Sequence, residues 1–452
     1  MKPFYHTHCR GSIALVTALS LIVLVGMVGL AIDLGRAYGV KAKLNAAVDA
    51  AAIAGARALV VGESDAERVT NAQAAAQKFF AGNFPLDYLG ATPTGPNTTA
   101  VHDAAGFWTV TVSATADVPT TFLRVLGKDN VPVATMAETI RRDLDLILVL
   151  DTSGSLAPPY SPADTPTKLR AAAVSFINKF SEGSDRVGLV SFASGAVLDV
   201  PINKTAARGF NRTQVNNAIN ALPVSGSTAS AEGMRRALNE INAVPQAVRS
   251  SLRVIVFFSD GAPNDVPATF TWSSGTQIGD LYSETDSGAA PRRIWDYSQR
   301  NSPYPNGWDR PGIATLPNNG FNITGVGAIP LRDQTLAGQR SLSGTPYANT
   351  RCNVNKAARN MVEYVANTAR NQNIAVFSIG LGARLNSLEI TFCGYNPTEY
   401  GANILKRLAN TSDSDTFHPS PQPTGLYAYA EDADELDAAF NAIASAILRL
   451  AM

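Results

Sequence analysis

The chain has 452 residues, 45% of them apolar and 16% charged, with 37 basic side chains against 37 acidic ones. That length exceeds one ordinary domain and suggests about three units, and the apolar fraction excludes global disorder. Formal neutrality argues against a protein whose main task is neutralising nucleic-acid phosphates, and the charge fraction is low against the usual ~25%.

From Ser12 to Ile32 no residue is charged; Arg10 precedes the run and Asp33 follows it. About 20 apolar residues match the hydrocarbon core of a bilayer. A cleavable signal peptide is the competing reading, with Lys2 and Arg10 as its basic region. Its apolar core spans only ~7–15 residues and ends at a small-x-small site, whereas this run is longer and continues into IDLGRAY. A retained single-span anchor is therefore expected over residues 1–35. Basic residues flank it on both sides (Lys2 and Arg10; Arg36, Lys41 and Lys43), so charge does not set its orientation.

A small α+β module is expected over residues 36–140. Gly35, Gly39, Ala42, Ala46, Ala50, Ala54 and Ala58 recur at near-fourfold spacing along one helix face. Such a stripe admits close approach of a second helix; equally, alanine is simply the best helix former. A second helix is expected from Asp65 to Phe80, then turns from Pro85 to Pro96. In WTVTVSATADV, Trp108, Val110, Val112 and Ala114 alternate with polar residues, the period of a half-buried strand, and VPVATMAETI closes the module.

From residue 141 to 452 continuous apolar runs alternate with amphipathic helices. The runs are 144–150, 187–192, 252–258 and 374–379; the helices centre on Lys168 to Phe180, Met234 to Ile241, Met361 to Ala369 and Leu436 to Leu450, the last with Asp432 or Asp434 as cap. Uniformly apolar strands alternating with helices specify an α/β, doubly wound, mostly parallel sheet covered on both faces. Residues 265–350 interrupt this pattern with 10 Gly and 8 Pro and hold Trp272, Trp295 and Trp308. They form either a loop-rich insertion with its own small core or a flexible segment; the tryptophans favour the former. No C-x-x-C occurs, which removes zinc-ribbon and thioredoxin-type chemistry. Besides Cys9 there are Cys352 and Cys393, which are a disulfide if their compartment is oxidising and buried thiols otherwise.

The chemistry gathers at strand ends. The first run leads into Asp151, Thr152, Ser153, Gly154 and Ser155; the third leads into Ser259, Asp260 and Gly261; Thr228 lies in the intervening loop SGSTASAEGM. Asp151, Ser153, Ser155, Thr228 and Asp260 make a hard, all-oxygen set suited to Mg²⁺ or another divalent cation. Bound there, the ion keeps a position open for an incoming carboxylate. The bland alternative is that Asp151 and its serines are turn or cap residues. A different chemistry, Mg²⁺-dependent phosphoester hydrolysis with Asp151 as nucleophile, usually needs a second Asp two residues on, where Ser153 stands. No G-x-S-x-G elbow or P-loop occurs.

With Asp-x-Ser-x-Ser at 151–155, the loop threonine at 228 and Ser-Asp-Gly at 259–261, this region resembles a von Willebrand factor type A domain. The resemblance implies a metal-ion-dependent adhesion site made of those five residues, with hydroxyls on the metal and carboxylates often acting through water. The segment RGSIALVTALSLIVLVGMVGLAIDLGRAYGVKAKLNAAVDAAAIAGARAL resembles the start of TadG-like proteins of tight-adherence (Flp) pilus assembly. That resemblance implies a non-enzymatic, single-pass protein of the bacterial inner membrane with its bulk outside the cytoplasm. Its partners would be pilus or secretion-machinery proteins that offer a carboxylate. Related pseudopilins carry a Glu five residues after a cleavage glycine; here Val16 stands at that distance from Gly11.

Overall fold

The computed structural model describes residues 10–59, 64–103, 107–272, 275–283, 291, 293–300, 308–309, 312–387, 393, 399–418 and 421–451. The chain forms two compact units, Met1–Arg141 and Arg142–Met452.

The first unit is built on a single long helix, α1 (Arg10–Ala58), about 74 Å long at 1.5 Å per residue. Among the described residues it is the one helix long and apolar enough to cross a membrane. Leu15, Leu21, Ile22, Val25 and Met27 stand exposed on its N-terminal half. Its C-terminal half packs through Val40, Leu44, Ala47, Val48 and Ala51 onto α2 (Asp65–Asn83) and a three-stranded sheet of β1 (Thr92–His102), β2 (Phe107–Pro119) and β3 (Asn130–Arg142). The small-residue stripe is exposed at Gly35, Ala42 and Ala46 and buried only towards its C-terminal end, at Ala54, because the larger Val40 and Leu44 remove more apolar area from water. β2 buries every second residue from Trp108 to Val118, as its alternation requires. The segment expected to be turn up to Pro96 is strand from Thr92 onward. This edge strand tolerates Pro93 and Pro96, with a register irregularity between Thr94 and Asn97.

The second unit is a six-stranded sheet wrapped by helices. Its elements are β4 (Leu144–Asp151), α3 (Thr165–Ile177), β5 (Arg186–Phe192), β6 (Ala196–Val200), α4 (Arg212–Asn220), α5 (Ser230–Asn242) and β7 (Leu252–Ser259). After an inserted region come α6 (Arg351–Asn371), β14 (Ala375–Leu381), α7 (Gly401–Ala409), β15 (Tyr427–Ala430) and α8 (Leu436–Leu450). Strand order is β15-β14-β7-β4-β5-β6, parallel except for β6, which runs antiparallel to β5. Leu144, Leu146, Leu148 and Leu150 face α3, α4 and α8, whereas Ile147 and Val149 face α5 and α6. Side chains alternate along a strand, so a strand buried on both faces reads as one apolar run.

The insertion is more regular than its composition suggests. It holds β8 (Asp265–Trp272), β9 (Gly275–Tyr282), β10 (Arg293–Trp295) and β11 (Trp308–Asp309) in one sheet, and β12 (Asn319–Ile323) with β13 (Gly327–Pro330) in a hairpin. Among the described residues it builds no separate core. Val266, Phe270, Leu281, Ile294, Ile323 and Ile329 join the apolar cluster of α5 and α6. Trp295 is buried; the side chains of Trp272 and Trp308 lie outside the described residues. Two local expectations also shift. The helix expected over Lys168 to Phe180 runs from Thr165 to Ile177. Asp432 closes a turn by accepting from the Asp434 and Glu435 amides at 2.8 and 3.3 Å, and α8 begins only after Glu435, with no side-chain cap. Cys352 and Cys393 form a disulfide across 41 residues of sequence.

Candidate metal centre

β5 lies on one side of β4 and β7 on the other, so the direction of winding reverses between β4 and β7. Open α/β sheets bind ligands outside the carboxyl ends of the strands at such a reversal. Asp151 ends β4, and Asp260 follows Ser259 at the end of β7.

Four of the five sequence-predicted residues meet there directly. The Ser153 and Ser155 hydroxyls are 2.9 Å apart, and Ser155 Oγ donates to Asp260 Oδ1 at 2.7 Å. The Ser153 amide donates to Asp151 Oδ1 at 2.8 Å. Thr228 is brought in by its backbone. The Gly154 amide donates to the Gly226 carbonyl at 2.9 Å, and the Ser225 amide to the Thr152 carbonyl at 2.9 Å. The Thr228 amide in turn donates to Asn264 Oδ1 at 2.8 Å. The threonine loop is thereby held between the loops that follow β4 and β7. It depends on Gly226, whose φ of +93° falls in the left-handed region and whose Cβ position is filled by Ser194 Oγ.

Three residues that sequence reasoning missed complete the arrangement. Ser259 Oγ donates to Asp151 Oδ2 at 2.6 Å; it stood in the Ser-Asp-Gly signal but was read only as a neighbour of Asp260. Asn264 positions Thr228, and the exposed Arg384, its guanidinium 5.2 Å from the Tyr160 ring centre, lends Asp260 some positive potential. Neither carries a sequence signal, because each is recruited by loop folding alone.

The site is short of positive charge. Asp151 is fully buried and Asp260 is 3% exposed. Burial pushes the Asp151 carboxyl up to about 6 against the hydrogen bonds from Ser153 and Ser259. Burial and then the nearby Asp151 push Asp260 up to about 8. A buried carboxylate elsewhere in the same sheet shows the contrast: Asp145 sits 3.0 Å from Arg186, both at 0% exposure, and accepts from the Ser250 amide and hydroxyl at 2.9 and 2.7 Å. Among the described residues no group of three or more His, Cys, Asp or Glu is arranged to hold a metal. The carboxylates of Asp151 and Asp260 with the hydroxyls of Ser153 and Ser155 are instead all-oxygen donors, the kind of set compatible with a hard cation such as Mg²⁺ that keeps part of its water.

Comparison with known proteins agrees with the fold. Residues 145–274 match the von Willebrand factor type A domain family, a match that ends inside the insertion. Residues 11–58, most of α1, match the Flp pilus-assembly TadE/G-like family. No curated protein matches the chain. Among solved structures, similarity extends to the von Willebrand factor domain of the type V pili tip protein Mfa5 from Porphyromonas gingivalis, at 17% identity and a TM-score of 0.39, covering 69% of this chain and 97% of that one. Proximal thread matrix protein 1 from the mussel byssus is similar at 11% identity and a TM-score of 0.34, over 67% of this chain and 47% of that one. The pilus adhesin SpaC from Lactobacillus rhamnosus GG is similar at 15% identity and a TM-score of 0.38, over 78% of this chain and 34% of that one. At such identities and scores these likenesses carry no functional weight. The chain joins a TadE/G-like segment at its N-terminus to a von Willebrand factor type A domain.

Proposed function

We propose that this chain is a membrane-anchored pilus-assembly or adhesion protein that binds a protein partner through a divalent-cation site made of Asp151, Ser153, Ser155, Thr228 and Asp260. The observation that carries the reading is the hydrogen-bonded cluster of Asp151, Ser153, Ser155 and Asp260 at the point where the sheet reverses its winding. Mg²⁺ bound there would supply a Lewis-acidic centre able to recognise a carboxylate of a protein partner. The residues of the chain do the rest. Ser259 and the Ser153 amide orient Asp151, Ser155 orients Asp260, and Asn264 sets the threonine loop.

Binding is favoured over phosphoester hydrolysis because Ser153 stands two residues after Asp151, where such hydrolysis usually needs a second Asp as acid. The disulfide Cys352–Cys393 supports an oxidising, extracytoplasmic compartment for the second unit, and α1 supports a single-pass anchor in a bacterial inner membrane. The test is capture of protein partners from membranes by the full chain in detergent, with Mg²⁺ or with a chelator. Capture is expected to require Mg²⁺ and to be lost in Ser153→Ala/Ser155→Ala. Capture that ignores both the chelator and the substitutions contradicts the reading, as does phosphoester turnover that vanishes in Asp151→Ala.

A further inference from the structure

The segment between β2 and β3 breaks the usual rule for soluble loops. Val125 is 87% exposed and Leu126 76%, with Phe122 also exposed. An isolated apolar side chain on a surface needs no explanation, but a contiguous cluster does. This cluster lies against the apolar half of α1. Phe122, Leu123, Val125 and Leu126 form one wall of a groove of about 670 Å³ whose other wall is Leu21, Ile22, Val25, Gly26, Met27 and Leu30.

The seating is specific. Asp33, the first charge after the apolar run, is buried and accepts from three consecutive amides at the root of the loop: Thr121 at 2.9 Å, Phe122 at 2.8 Å and Leu123 at 2.7 Å. Arg36 reinforces this root, donating to Thr121 Oγ1 at 3.2 Å and to the Leu89 carbonyl at 2.8 Å. Beyond Asp33 the loop folds back along the helix towards its N-terminus. There the Phe122 ring fills the position that a Cβ on Gly29 would take. The polar contacts thus lie at the end of the apolar run and the apolar tip lies alongside it.

We propose that residues 122–126 are a second membrane-seated element, a monotopic tip whose groove against α1 is filled by lipid acyl chains. The proposal rests on the reading of α1 as a membrane anchor. Once Ser12 to Ile32 spans the bilayer, a groove walled by Leu21 to Leu30 lies at hydrocarbon depth, where acyl chains are the solvent. The charges fit the same placement. Arg124 is largely exposed and pairs with Asp129 at 3.0 Å, with Lys128 beside it. Long basic side chains in such a position reach to the headgroups while the apolar tip stays below. Two attachments side by side restrict the tilt and rotation of the anchor.

The test uses the full chain with Cys9→Ser, leaving the disulfide intact, in phosphatidylethanolamine/phosphatidylglycerol vesicles. Single cysteines at Val125, Leu126, Val23 (in the apolar run) and Thr99 (an exposed strand position) carry an environment-sensitive fluorophore. Val125 and Leu126 are exposed, so labels there leave the fold unburdened. The expected result is blue-shifted emission at 125 and 126, quenched by doxyl-labelled acyl chains as strongly as at 23, with 99 unquenched. Quenching at 23 alone overturns the proposal and leaves the anchor standing. Blue-shifted but unquenched emission at 125 assigns the groove to a protein segment and also overturns it. No quenching at 23 overturns the anchor reading and the proposal with it. Gly29→Leu is expected to displace Phe122 and lower quenching at 125 but not at 23; an unchanged signal at 125 contradicts the groove.

Discussion

In the first unit the most extensive exceptions to the inside–outside rule are apolar and outside: Leu15 to Ile32 on α1, with Phe122, Val125 and Leu126 on the loop beside them. In the second unit they are charged and inside: Asp145, Asp151, Asp260, Asp265 and Asp280, none more than 3% exposed. Each kind of exception demands a compensating environment. Exposed apolar surface of this extent demands lipid or a partner, and a buried carboxylate demands a counter-charge or a proton. Asp145 has its counter-charge within the chain, in Arg186. Asp151 and Asp260 have mainly hydroxyls and amides, which is the difference between a structural ion pair and the cation site we propose.

The largest way to break this comparison is to make Asp145 resemble Asp151. Arg186→Met removes the fully buried partner of Asp145, leaving Arg208 at 3.4 Å as its remaining counter-charge, and is expected to cost about 3 kcal/mol, measured by denaturant unfolding of the second unit's signal in the full chain. Loss of the disulfide comes next. With its cysteines 41 positions apart, Cys352→Ser/Cys393→Ser is expected to cost about 2–4 kcal/mol, seen as a lower Tm that reducing agent does not lower further. A smaller effect concerns Asp280. Among the described residues its carboxyl oxygens have no hydrogen-bond partner, and burial, together with Glu232 and Asp265, raises its pKa well above the usual carboxylate range. The folded state then holds a proton that the unfolded chain releases near pH 4, so stability falls as pH rises from there towards the folded pKa. Asp280→Asn is expected to flatten this slope and raise Tm at neutral pH by a few degrees; an unchanged slope contradicts the assignment. The smallest effect is on the metal site itself. Because Asp151 and Asp260 are pushed up to about 6 and about 8, cation binding must displace protons, and Mg²⁺ affinity is expected to rise between pH 6 and 8.

How much of this was legible in the sequence follows from the physics of each element. β4, β5, β7 and β14 are buried on both faces and therefore wrote themselves as apolar runs. The edge strands β6 and β15, of 5 and 4 residues, are too short to show a period. β8 and β9 hide behind Gly and Pro because their pairing with each other and their packing on α5 and α6 are tertiary facts. Asp151, Ser153, Ser155 and Asp260 are legible because they stand at or just after strand ends, and Thr228 because of its Gly-Ser-Thr loop; Asn264 and Arg384 are not, because only the folding of loops recruits them. The tip at 122–126 reads in sequence as an ordinary connector, and only its contact with α1 shows its character. The buried face of α1 is legible only in part, for a related reason. Spacing identifies stripes of small residues, but the stripe that packs is the one whose apolar area finds a neighbour.

The central claim is that the second unit draws its missing positive charge from solution at Asp151, Ser153, Ser155, Thr228 and Asp260. Calorimetric titration of Mg²⁺ into the full chain in detergent at pH 8 tests it most directly, comparing the natural sequence with Ser153→Ala/Ser155→Ala. A single saturable site, weakened at least about tenfold in the variant (roughly 1.4 kcal/mol) while Tm measured with chelator is nearly unchanged, is the predicted result. Equal Mg²⁺ affinity in the two proteins, or no binding to the natural one, contradicts it.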